Sequence, residues 1–264
     1  MINDTIISVP LRQFHGDKVP LKPPIFILRL RSCTYEFIST DKSIWLVGRT
    51  MVTQQMWENV MGYNPSDYRG ENIPVNNITF SQISDFISKL TSLTSKYCGY
   101  RLTYKLMSEY EWKECAGEQT NIFGDSETVI NAGLSSGFCG SVIWCAENSN
   151  NQPHQVALLP PNEYGLYDMY GNLWEICIGA FHRDHNNQEP RRDDFEDEMS
   201  YRRAMLRWKL LNTHKTGNKI VLKGGAWNMP KDDCVKQTYI EIKETAKFTN
   251  AGFRLMVLIE RDIK

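Results

Sequence analysis

Seven cysteines, Cys33, Cys98, Cys115, Cys139, Cys145, Cys177 and Cys234, are the side chains in this sequence with the widest chemical repertoire. A thiol can act as a nucleophile, one half of a redox pair or a ligand for a soft metal, and each role depends on spacing. The count is odd, the positions are scattered and no C-x-x-C occurs. Neither a disulfide framework nor a zinc ribbon is therefore expected, and free thiols in a reducing compartment are. A second group, His182, Asp184 and His185, has the residue types of an iron or zinc site. The surrounding run, 182–203, is dense in both charge signs and contains Pro190, which is equally the composition of a solvated loop. No serine–histidine–aspartate order, phosphate-cradling glycine loop or zincin motif stands out.

The elements that must position such groups follow from periodicity and punctuation. Residues 25–28, 35–38 and 44–47 are rich in β-branched and aromatic types between polar breaks, which predicts two or three strands. Thr53 is a good N-cap, Met56, Trp57 and Val60 follow at helical spacing, and Gly62 suits a C-cap. From Thr79, the positions Ile83, Phe86, Ile87, Leu90 and Leu93 predict the clearest helix of the chain. Ser108 and Glu111 form a capping-box pair for a third, with Trp112, Cys115 and Ala116 facing inward. Beyond Gly117, short segments broken by Gly, Asn and Pro leave little room for helices, apart from a patch around 204–211. Residues 219–222, 235–242 and 253–259 read as strands.

Bulk properties narrow the function classes. A chain of 264 residues can bury a substantial core, and 41% hydrophobic with 23% charged residues is the balance of an ordinary soluble protein. With 30 Lys and Arg against 31 Asp and Glu, the net charge of -1 removes the long-range pull that nonspecific phosphate binding needs, so nucleic acid is not an expected partner. No window approaches the roughly 20 apolar residues of a bilayer span, and residues 1–10 lack a basic stretch followed by an apolar run. A cytoplasmic protein without membrane contact is expected. Neither an internal repeat nor a low-complexity linker marks a boundary, and the pattern is that of a single α+β domain with helices early and irregular β late.

Several strings, in order, resemble one family. Thr53, Trp57, Val60, Met61 and Gly62, then Asn64-Pro65-Ser66 and Pro74-Val75, match an opening E-V-T-x-x-x-W-x-x-V-M-G-x-N-P-S followed by P-V. Ser108 to Trp112 matches T-E-A-E-W, and Trp144, Asn148 and Ser149 followed by His154 match W-Y-x-x-N-S and H-P-V. Residues 161–175 nearly reproduce P-N-x-x-G-L-Y-D-M-x-G-N-V-W-E, while 221–227 and 250–255 match V-L-R-G-G-S-W and N-I-G-F-R-L. On these strings the chain resembles the formylglycine-generating-enzyme, or sulfatase-modifying factor, family. The resemblance implies a single irregular C-type-lectin-like domain over 41–264, with short helices early and twisted strands and long loops late. Residues 1–40 stand outside it as a divergent extension, and 181–218 as a charged insertion.

The resemblance also implies sites. Family members hold calcium with oxygen ligands, which points to Asn148, Asp168, Asn172, the Leu173 carbonyl and Glu175; Asp168 and Glu175 are equally suited to cap turns or to pair with Arg254. The catalytic members bind a metal through two cysteines after the paired glycines. Here Met229 falls at the first thiolate position, Cys234 at the second, and Ala226 replaces the active-site serine. With two of the three groups absent, copper or iron is not the expectation, although a Met229–Cys234 thioether–thiolate site is conceivable and leaves Cys234 as the one catalytic candidate. The expected function is a non-catalytic module that recognises a protein or other ligand with its late loops, Trp227, Asn228, Met229, Lys231 and Asp232 among them. A retroelement-diversified variable protein and an accessory subunit of a larger assembly are two forms of it. The alternative is a metal-dependent oxidoreductase acting on an amino-acid side chain or small molecule.

Overall fold

Short helices form where caps and apolar spacing coincide. The computed structural model describes residues 6–8, 25–40, 45–94, 100–117, 143–179, 191–194, 197–198, 201 and 219–261. The His182, Asp184 and His185 group and the 204–211 helical patch lie outside the described residues. Helix α1 (Gln54–Met61) starts at Thr53, whose hydroxyl accepts from the Met56 N–H at 3.3 Å. It ends at Gly62, which takes the left-handed φ of 85° and donates its N–H to the Glu58 carbonyl. Helix α2 (Phe80–Thr94) is entered through a reciprocal pair: the Thr79 hydroxyl accepts from the Gln82 N–H at 3.2 Å, and the Gln82 side chain accepts from the Thr79 N–H at 2.9 Å. Helix α3 (Glu109–Cys115) carries the complete Ser108–Glu111 capping box and buries Trp112 and Cys115.

Among the described residues, ten strands make two sheets. The larger has the order β1 (Ile6–Ser8), β2 (Ile25–Leu30), β3 (Cys33–Ser39), β4 (Leu46–Gly48), β10 (Leu255–Arg261), β5 (Tyr100–Leu106), with every pairing antiparallel. Its centre joins the early and late parts of the chain, Val47 opposite Met256 and Leu46 opposite Val257. The smaller has the order β8 (Tyr239–Ile242), β7 (Ile220–Lys223), β6 (Trp174–Ile178), β9 (Ala251–Gly252), with β6 and β9 parallel. The strand expected at 253–259 is β10, which begins at Leu255, and the short β9 precedes it in the other sheet. Only Phe253 and Arg254 lie between β9 and β10, so these two side chains sit where the chain crosses from one sheet to the other. The strand expected at 235–242 is confined to β8, and β5 and β6 were not foreseen.

Apolar burial explains the arrangement. Trp57 of α1 stacks on Phe86 of α2 at 5.2 Å between ring centroids, and Phe253 meets both edge-on at 6.1 and 5.5 Å. All three rings are fully buried, and such aromatic pairs contribute about 0.5–1.5 kcal/mol each beyond their area. Trp112 packs edge-on to Tyr170 at 5.6 Å in a second cluster under β6 and β7. The conspicuous tryptophans Trp57, Trp112 and Trp174 are therefore core anchors. No helix among the described residues is long and apolar enough to cross a membrane.

Candidate functional site

Two loops meet above the smaller sheet, and one asparagine joins them. Asn172 has a left-handed φ of 58° and is wholly buried. Its side chain accepts from the His154 N–H at 3.0 Å and donates to the His154 carbonyl at 3.1 Å. Its own N–H donates to the Trp144 carbonyl, and its carbonyl accepts from the Trp227 N–H, both at 2.8 Å. The His154 ring lies flat on Trp144 at 3.6 Å, with one ring nitrogen 2.8 Å from the Ser149 carbonyl. Asn148 is occupied locally, accepting from the Cys145 N–H at 2.9 Å and donating to the Ile143 carbonyl at 2.8 Å. Upstream, Asn162 accepts from the Tyr164 and Leu166 N–H groups and donates to the Cys115 carbonyl, which shapes the turn at Gly165.

Four of the five positions implied for calcium have their side chains engaged by protein groups. The amide ends of Asn148 and Asn172 are both used. Both Glu175 oxygens accept from Arg254, at 2.6 to 3.1 Å, with both side chains fully buried. Asp168, at a φ of 53°, accepts from the Ala157 N–H at 2.9 Å. A calcium ion takes six to eight oxygens, and with both Glu175 oxygens and both asparagine side-chain oxygens already accepting from protein donors this set leaves too few. These residues do not fit the ion.

Dense packing around Asp168 pushes its carboxyl pKa up to about 6 from 3.8, only partly countered by the Ala157 N–H and by Arg254. The residue keeps partial solvent contact, so the effect on stability is smaller than full burial would give. A folded-state pKa above the unfolded one contributes stability that is complete below the unfolded value and is lost as pH rises through the folded one. Asp168→Asn, whose amide tolerates the same backbone, should therefore match the parent near pH 4 and exceed it by about 1–2 kcal/mol at pH 7. Urea unfolding at both pH values reads the difference. A carboxylate holding calcium would give the opposite sign at pH 7.

The loop that bears the thiolate positions is shaped by Gly224 and Gly225, at φ of 92° and 79°. Cys234 is packed directly beneath Gly225, where an added Cβ would stand 2.8 Å from the Cys234 Cα. The thiol is buried, and burial pushes its pKa up to about 12, with Cys145 as the next contributor. Burial thus favours the neutral thiol of Cys234 over the thiolate. Met229 is half-buried against both apolar clusters. Ala226 is fully buried and offers no hydroxyl. The loop is stitched to residues 145–149: the Ala146 N–H donates to the Met229 carbonyl at 2.9 Å, the Lys231 N–H to the Glu147 carboxylate at 3.1 Å, and the Ser149 hydroxyl to the Trp227 carbonyl at 2.8 Å. Glu147, held below its usual pKa by the Cys145 side chain first and the Lys231 N–H second, belongs to this seam. Cys145 as a neighbour of Cys234 went unseen in the sequence, since no spacing rule links the two.

The positions named as a surface divide. Trp227 is 8% exposed, packed edge-on against Tyr68 at 5.7 Å. Met229 and Lys231 are half-buried, whereas Asn228 and Asp232 are exposed, the Asn228 side chain accepting from Asn250 at 2.9 Å. The following strand, β8, adds a feature sequence reasoning missed: Tyr239 and Ile240 are exposed large side chains at the edge of the smaller sheet.

Comparison with known proteins agrees with this geometry. The profile of the FGE-sulfatase family, described as the sulfatase-modifying factor enzyme 1-like domain, matches residues 30–259. A protein described as chaperone protein LppX, from Paenibacillus barcinonensis, is 28% identical across 52% of this chain, and this chain spans 64% of that protein's length. Among solved structures, variable protein 1 of Treponema denticola superposes with a TM-score of 0.63 at 23% identity, covering 91% of this chain and all (100%) of that one. PvdO from Pseudomonas aeruginosa gives 0.53 at 17% identity over 97% and 91%. At such identities the two structures share the fold alone. With matched strings, matched architecture and a profile match over most of its length, the chain belongs to the sulfatase-modifying factor enzyme 1-like domain family.

Proposed function

We propose that this chain is a binding module that uses the family scaffold without its oxidase chemistry, recognising a protein or other ligand through the surface around Asn228, Asp232, Tyr239 and Ile240. One observation carries the reading: in the loop where the family's thiolate pair stands, Met229 replaces one sulfur ligand and Cys234 is buried, packed under Gly225. A soft metal is held most firmly by paired thiolates, and this loop offers a single cysteine with a thioether. The partial likeness to a protein named as a chaperone is in keeping with a protein ligand. A retroelement-diversified protein would carry its variation between Gly225 and Gly252, with an imperfect repeat of the 3′ end of the gene nearby. An accessory subunit would instead copurify with its assembly.

The alternative, a metal-dependent oxidoreductase, is favoured by the position of Cys145, which packs in the same buried cluster as Cys234. Elemental analysis of chelator-free protein loaded anaerobically with Cu(I) or Fe(II), alongside Cys234→Ala and Cys145→Ala, decides between them. The binding-module reading expects less than about 0.1 equivalent of either metal in all three proteins and no oxygen uptake with a cysteine-containing peptide. Near-stoichiometric metal in the parent, lost in either variant and accompanied by oxygen uptake, would overturn it.

A further inference from the structure

The fully buried Arg254 guanidinium is surrounded by four protein oxygens drawn from three distant parts of the chain. Its Nε donates to both Glu175 carboxylate oxygens at 3.1 Å, its Nη1 to the Gly48 carbonyl at 2.9 Å, and its Nη2 to the Tyr167 carbonyl and to Glu175 Oε1, both at 2.6 Å. Gly48 ends β4 in the larger sheet, Glu175 lies on β6 in the smaller, and Tyr167 belongs to the turn between α3 and β6. Arg254 itself stands on the crossing between β9 and β10. The cage thus clamps both sheets and the turn to one point.

We infer that Arg254 is the built-in cation of this scaffold, seated in an oxygen cage shaped for a guanidinium, and that the calcium-binding positions implied by the family resemblance are satisfied internally in this chain. The shape of the cage supports the assignment. Its oxygens accept from a planar fork of N–H groups, the geometry that a guanidinium matches and a spherical ion does not. One carboxylate with two backbone carbonyls supplies a single negative charge and four oxygens, short of the six to eight that calcium takes. Arg254 also reaches outward electrostatically, lowering the pKa of Asp168 in opposition to its burial. Both signature carboxylates, Asp168 and Glu175, therefore lie within the field of the same internal cation. The inference is independent of the binding-module reading, since it concerns how the scaffold is held together.

Removing the Arg254 side chain leaves the cage open, and a free guanidinium ion is the solute that fits it. The test measures melting temperatures of the parent, of Arg254→Ala, and of an uncharged double variant, Glu175→Gln with Arg254→Met. Each is titrated with guanidinium chloride to roughly 50 mM, with sodium chloride at equal ionic strength, and with calcium chloride against chelator. Guanidinium should raise the melting temperature of Arg254→Ala by about 2–4 °C over the sodium control. It should not raise that of the parent or the double variant, and calcium should shift none of the three. Should Arg254→Ala not accumulate as folded protein, its refolding yield with guanidinium against sodium replaces the melt, the double variant reporting whether an uncharged pair can hold the fold. Two results would overturn the inference: stabilisation of the parent by calcium, or failure of guanidinium to improve either readout of Arg254→Ala.

Discussion

Glu175→Ala should lower the free energy of unfolding by about 3–5 kcal/mol, a substantial part of the about 5–15 kcal/mol that holds a typical domain together. The reason lies in what is left behind. Arg254 is fully buried, and Glu175 supplies the only carboxylate among the acceptors of its guanidinium in the described residues. Removing that carboxylate strands a positive charge between two sheets with two backbone carbonyls for partners, and desolvating an uncompensated charge costs more than the ion pair contributes when intact. Glu175→Gln should cost less, because an amide oxygen still accepts one hydrogen bond. Urea denaturation of the two variants at pH 7 gives the ordering, parent above Glu175→Gln above Glu175→Ala. Equal stability of the parent and Glu175→Ala would mean that water reaches the guanidinium and that the clamp contributes little.

The second large effect is expected at Gly171, where alanine should destabilise by about 3–5 kcal/mol through overpacking and backbone strain combined. Its φ is 72°, and an added Cβ would be driven onto the Trp144 carbonyl oxygen, with the Trp144 carbon at 3.0 Å and nitrogen at 3.1 Å. Backbone atoms cannot swing aside as a flexible side chain can. Moving Trp144 would also disturb its stack on His154 and the hydrogen bond that its carbonyl accepts from Asn172. Gly62 is the internal control. It has a similar φ of 85°, yet a Cβ there meets nothing within 4 Å, so Gly62→Ala should cost only the backbone term of about 1–2 kcal/mol. A Gly171→Ala protein no less stable than Gly62→Ala would show that the approach to Trp144 relaxes freely.

The legibility of this protein varied with the range of the interaction involved. The caps at Thr53, Gly62 and Ser108 and the buried stripe of α2 are decided within a few residues, and the structure has them as read. The strand β6 was hidden because Glu175 interrupts its apolar run, and a buried carboxylate argues against a strand unless its cation is known. The strand expected at 253–259 starts only at Leu255 because Phe253 and Arg254 form the crossing between the sheets. The five residues implied for calcium were chosen for their oxygen atoms, yet residue type does not reveal which oxygens are already occupied.

By itself the sequence determined the family, the α+β class, the helix boundaries and the turn chemistry of residues 161–175, because local spacing and backbone preference are written in consecutive residues. It also determined that the loop after Gly225 carries Met229 and a single cysteine. The tertiary structure alone decided that Glu175 is neutralised by Arg254, that Cys145 comes beside Cys234, that Cys234 is buried under Gly225, and that Tyr239 and Ile240 are left at an exposed edge. Each of these depends on which distant segments the two sheets bring together, and so on the dielectric and the partners each group meets. Charge state, occupancy and exposure are properties of that surrounding, and no residue carries its surrounding in its own type.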